Sequence, residues 1–102
     1  MSSPPYRNFD EWLSTRPAIV RRLLARWPIG STVTDGMMRL YVIGAGETNG
    51  HGGGGLIVSP VHPAEDYDRA MRLRRFICGE CLAQGRIHEL KGPAGGLQWL
   101  NR

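Results

Sequence analysis

The chain has 102 residues, is 41% hydrophobic and carries a formal charge of +4, from thirteen basic residues against nine acidic ones. That supplies one hydrophobic core and not two, so a flexible lead over residues 1–7 and a single α+β domain over residues 8–102 are expected. No run approaches the ~20 apolar residues of a membrane-spanning helix. The opening Met1-Ser2-Ser3-Pro4-Pro5 lacks a basic region followed by an apolar one, which makes a reducing cytoplasm the expected setting and a membrane an unexpected partner.

In chain order, Asn8 followed by Glu11 resembles a capping box at the start of a helical turn. Pro17 cannot continue that helix but suits the first turn of another, with Thr15 or Arg16 as its cap. From Pro17 to Trp27 the residues Ile19, Val20, Leu23, Leu24 and Trp27 share one stripe, while Arg21, Arg22 and Arg26 lie off it, so this is an amphipathic helix. Pro28 and Gly30 end it. The period then changes to that of strands, with Ser31–Thr34, a turn at Asp35-Gly36, and Met38–Ile43. Leu56-Ile57-Val58 reads as a third strand.

Ser59-Pro60-Val61-His62-Pro63 breaks the strand pattern, and a helix is expected to begin at Pro63. Its acids come first, in Glu65, Asp66 and Asp68, and its arginines follow, in Arg69, Arg72, Arg74 and Arg75, the order a helix dipole favours. Tyr67, Ala70, Met71, Ile77, Cys78, Cys81 and Leu82 form its apolar stripe, and Gly85 is its stop. Arg86–Leu90 and Leu97–Leu100 read as two further strands. The expected fold is therefore α+β: a small bent antiparallel sheet or SH3-like partial barrel, with an N-terminal helix and one inserted helix.

Three segments imitate chemical motifs. Gly44-Ala45-Gly46-Glu47-Thr48-Asn49-Gly50 follows a strand as a dinucleotide fingerprint does, but His51-Gly52-Gly53-Gly54-Gly55 comes next instead of a helix. His51-Gly52-Gly53-Gly54 spells an oxyanion-hole motif, yet no serine has glycine at both flanking positions, and the chain is too short for that fold. The simpler reading makes Thr48–Gly54 a flexible hairpin tip, able to order on a partner. Cys78-Gly79-Glu80-Cys81 is the strongest chemical candidate. Its two thiolates have the spacing of zinc ligands and His88 or His62 could join them, but one such pair also fits a helix stripe, where reduced cysteine packs as a small apolar residue. The expectation is no metal and no cofactor, with Cys78, Cys81 and His88 as the weak candidates. The histidines at 51, 62 and 88 form no nucleophile–base pattern with a serine or cysteine, so no enzyme is expected.

Lys91 is the lone lysine, and every other basic residue is an arginine. Arginine makes bidentate contacts with phosphates and carboxylates, so the bias suits an acidic protein surface or nucleic acid; a GC-rich genome produces the same bias. The segments Gly30-Ser31-Thr32-Val33, Tyr41-Val42-Ile43-Gly44, Leu56-Ile57-Val58-Ser59-Pro60, Asp66-Tyr67-Asp68 and Ile77-Cys78 together resemble small accessory proteins of bacteriophages and mobile elements, over about half the chain. The resemblance implies a binder that inhibits or redirects a host machine, as anti-CRISPR proteins do, although +4 does not suit a DNA mimic. The expected partner is a host protein or nucleoprotein complex. Its expected contacts are Thr48, Asn49 and His51 of the hairpin tip with Arg22, Arg26, Arg69, Arg72 and Arg75 of the helices. The alternative is a small arginine-rich regulator that binds nucleic acid directly.

Overall fold

The computed structural model describes residues 9–34, 36–48 and 53–91. In chain order its elements are α1 (Phe9–Ser14), α2 (Ala18–Arg26), β1 (Thr32–Thr34), β2 (Arg39–Glu47), β3 (Gly54–Ser59), α3 (Tyr67–Arg72), β4 (Arg75–Cys78) and α4 (Gly79–Ala83). The four strands form one antiparallel sheet in the order β1-β2-β3-β4. The expected α+β class is what forms, with a sheet that does not close, α2 near the N-terminus and α3 inserted between β3 and β4. The lead, the cap at Asn8, the turn residue Asp35, the tip residues Asn49 and His51, and the strand expected at Leu97–Leu100 lie outside the described residues.

The break before α2 falls where the sequence places it. Pro17 is the N-cap rather than the first helical residue, and its carbonyl accepts from the N–H groups of Val20 at 3.0 Å and Arg21 at 3.2 Å. Val20, Leu23 and Leu24 are the buried residues of α2, as the stripe predicts. They pack on Leu40, Val42, Ala45, Leu56, Val58 and Ile77, which form the main core. Ile43, Ile57 and Phe76 form a second cluster, covered by Met71 of α3 and by Leu90. Adjacent strand residues point to opposite faces. Val42 and Ile43, Leu56 and Ile57, and Ile77 and Phe76 therefore separate the clusters, with α2 on one face of the sheet and α3 on the other.

Two features carry β2 beyond the expected end at Ile43. A bulge shifts the register between Val42 and Gly44. An inserted residue resets the side-chain phase, so Ala45 returns to the α2 face with Val42 instead of falling opposite. Beyond it, Gly46 pairs with Gly55 and Glu47 with Gly54. Gly54 is thus a buried strand residue, not part of the flexible tip expected over Thr48–Gly54. A Cβ there would stand 2.5 Å from Ile19 Cγ1 and 3.0 Å from Leu23 Cδ1, and one on Gly55 would meet the Ile77 carbonyl oxygen at 2.6 Å and the Phe76 ring at 2.8 Å. The glycines let α2 and the Phe76 ring lie against the strand backbone. All six residues of β3 are buried, which is why it reads as a continuous apolar run without alternation.

The single helix expected from Pro63 to Leu82 does not form. Residues 62–66 make a turn in which the His62 carbonyl accepts from Glu65 and Asp66, and His62 Nδ1 accepts from Ala64 N–H at 3.0 Å. Asp66 then caps α3, accepting from Arg69 N–H at 3.1 Å. Glu65, expected within the helix, precedes it. After Leu73 the chain enters β4, where Phe76, Ile77 and Cys78 are buried. A short apolar run of this kind satisfies a helix stripe and a doubly buried strand equally, and pairing with β3 decides it. Of the expected strand Arg86–Leu90, one bridge forms, between Ile77 and Glu89, flanked by Cys78 N–H to His88 O at 2.8 Å and Leu90 N–H to Phe76 O at 2.7 Å. Gly85, at φ +79°, turns the chain after α4. It is the expected stop, of a different and shorter helix.

Candidate functional site

The arginines singled out from the sequence fall into two groups on opposite faces of the sheet. Arg22 and Arg26 are exposed on α2. They rim a groove between α2 and α4 whose floor and walls include Ile19, Leu23, Trp27, Gly54, Gly79 and Ala83, with Glu80 on the α4 side. The Arg26 guanidinium lies over the Trp27 ring, 4.6 Å from its centroid, a stacking worth roughly 0.5–1 kcal/mol at exposed sites. The groove exists because glycines line it: a Cβ on Gly79 would stand 2.5 Å from Leu23 Cδ2, so the small residues bring α4 close to α2.

The β2–β3 loop begins and ends beside this groove. Thr48 N–H donates to Gly53 O at 3.1 Å, closing the loop directly above the Glu47–Gly54 pair, and Gly54 itself lines the groove. Thr48, Arg22 and Arg26 therefore belong to one end of the molecule. Asn49 and His51 lie between Thr48 and Gly53 in sequence, outside the described residues.

On the other face, Arg72, Arg74 and Arg75 line a recess with Ile57, Phe76, Glu89 and Leu90. Arg69, also exposed on α3, does not line it. Arg75 is committed to an ion pair, donating to Glu89 Oε1 from Nη2 at 2.8 Å and from Nε at 3.1 Å. Arg74 donates to the Met71 carbonyl. This recess thus has fewer uncommitted charges than its arginine count suggests. The sequence offered no reason to single out Met37 and Met38, which are 92% and 48% exposed at the tip of the β1–β2 hairpin. Strand alternation stops at a turn and says nothing of what the turn displays.

The third grouping is the cysteine pair with His88, the strongest chemical candidate in the sequence but one weighed there toward a buried helix stripe. Cys78, Cys81 and His88 place one ligand atom each within 4.8 Å of one another, with Cys81 Sγ 3.8 Å from His88 Nδ1. The expectation of a helix stripe fails in its geometry, since Cys78 ends β4 and Cys81 lies in α4. Both thiols are nonetheless buried and not joined by a disulfide. Burial pushes the Cys81 thiol above its ordinary range, and the Cys78 thiol beside it acts in the same direction.

No protein-family model, curated protein or solved structure matches the chain. Among the described residues, no helix is long and apolar enough to cross a membrane.

Proposed function

We propose that this chain is a non-enzymatic binding protein that occupies a surface of a host protein in the bacterial cytoplasm and thereby inhibits or redirects it. This is the role that resemblance to phage and mobile-element accessory proteins, anti-CRISPR proteins among them, implies. The observation that supports it is the α2–α4 groove. An apolar floor rimmed by Arg22 and Arg26, with Trp27 stacked beneath Arg26, combines the residue types that dominate protein–protein hot spots. Its chemistry suits an acidic, partly apolar segment that sets carboxylates against the two guanidinium groups. Thr48, where the chain leaves β2 beside the groove, extends the contact at the groove's end, and Asn49 and His51 follow it in sequence. Shortening the β2–β3 loop to a two-residue turn leaves the Glu47–Gly54 pairing to join β2 and β3, so binding is lost and the fold kept; unchanged affinity removes the loop from the interface.

A second reading, a regulator that binds nucleic acid directly, is favoured by the recess lined by Arg72, Arg74 and Arg75. Affinity capture from bacterial lysate, with and without nuclease, separates the two. Under the binding-protein reading a defined protein survives nuclease. If all capture vanishes with nuclease and falls steeply with salt, counterion release governs binding and the second reading replaces the first.

A further inference from the structure

We infer that Cys78, Cys81 and His88 form a zinc site of three protein ligands, open at its fourth position, that clips β4, α4 and the returning segment 86–90 together. The main chain already holds the three in place. Cys78 N–H donates to His88 O at 2.8 Å, Arg86 N–H to Cys81 O at 2.9 Å and Gln84 N–H to Cys81 O at 3.0 Å, and the positive φ of Gly85 reverses the chain between the cysteine pair and the histidine. Ligand atoms around a tetrahedral zinc with sulfur and nitrogen donors stand about 3.5–3.8 Å apart. The 3.8 Å between Cys81 Sγ and His88 Nδ1 already meets this, and the mutual limit of 4.8 Å leaves the third atom about 1 Å to close.

The donor set selects the ion. Two thiolates and an imidazole favour zinc over magnesium or calcium, which take oxygen ligands. Binding releases the two thiol protons, so the dication is balanced by two thiolates and the site is neutral overall. That matters where Cys78 is 0% and Cys81 6% exposed, because an unbalanced charge there would be costly. His88 is exposed, which puts the fourth position on the solvent side, where water completes the shell.

The test uses the full chain, reduced with a non-thiol reductant and titrated with Co²⁺ and then Zn²⁺. The expected result is saturation at one Co²⁺ per chain, with a thiolate-to-cobalt charge-transfer band and the visible bands of a tetrahedral ion, abolished by one equivalent of Zn²⁺. Zinc should also raise the unfolding temperature, since it binds only the assembled site. His88→Gln, at an exposed position that leaves folding intact, should weaken Co²⁺ binding at least as much as the roughly 10–100-fold seen when a ligand's supporting partner is lost. Cys81→Ser should remove the charge-transfer band or greatly diminish it. A folded protein with two titratable thiols and no such band overturns the inference. So does a His88→Gln variant that binds Co²⁺ as tightly as the parent chain.

Discussion

Leu23 sits where three backbones meet. Its Cδ atoms lie against the positions a Cβ would take on Gly54 and on Gly79, so one leucine seals α2 to β3 and to the start of α4. Gly79→Ala should cost about 1–3 kcal/mol, the usual cost of overpacking a filled core, read as a lower urea midpoint. In a Leu23→Ala background the same change should cost much less, because the atom it strikes is gone; additive costs would show that Leu23 is not the obstacle. Gly55→Ala meets a carbonyl oxygen and an aromatic ring instead of a flexible methyl. It should destabilise more than Gly79→Ala, and no side-chain truncation other than that of Phe76 should soften it. The run Gly53–Gly55 thus mixes two kinds of glycine that look alike in sequence. Gly53, at φ +80°, allows a turn, whereas Gly54 and Gly55 allow close packing.

At the scale of elements, α3 is six residues long, too short to persist without its cap and its contact with the sheet. Asp66→Ala should cost about 1 kcal/mol, the ordinary worth of an aspartate N-cap, while Glu89→Gln should cost no more than about 1 kcal/mol, because the Arg75–Glu89 pair is partly in water. Urea melts of the two variants compare cap and ion pair directly. α2 was legible because it has one period, and the first three strands because Pro28, Gly30 and Pro60 punctuate them, although β2 runs past its expected end at Ile43. The helix expected from Pro63 to Leu82 was not, because Phe76-Ile77-Cys78 carries no period of its own and only its pairing with β3 makes it a strand. That error kept Cys78, Cys81 and His88 from counting as more than a metal candidate. On a helix the cysteine pair reads as an apolar stripe, and the backbone contact of Cys78 with His88 that brings the third donor alongside exists only in three dimensions.

At the scale of the molecule, the arginine bias resolves into separate surfaces. The α2 face offers Arg22 and Arg26 over an apolar floor, and the α3 face offers Arg72 and Arg74 beside an arginine already paired with Glu89. Sequence spacing gave both sets but not their separation, because nothing local to either helix states which face of the sheet it covers. The separation is useful, since each face serves as the other's control. The most direct measurement is the affinity of the captured host protein for two charge reversals, Arg22→Glu with Arg26→Glu on α2, and Arg69→Glu with Arg72→Glu on α3. All four side chains are exposed, so the α3 variant should keep the parent's stability to within about 0.5 kcal/mol per substitution, and the α2 variant should lose in addition only the roughly 0.5–1 kcal/mol of the Arg26–Trp27 stacking. The α2 variant should lose binding at least about tenfold, or roughly 1.4 kcal/mol, while the α3 variant keeps it. Loss confined to the α3 variant, or undiminished binding by both, would contradict binding at the α2–α4 groove.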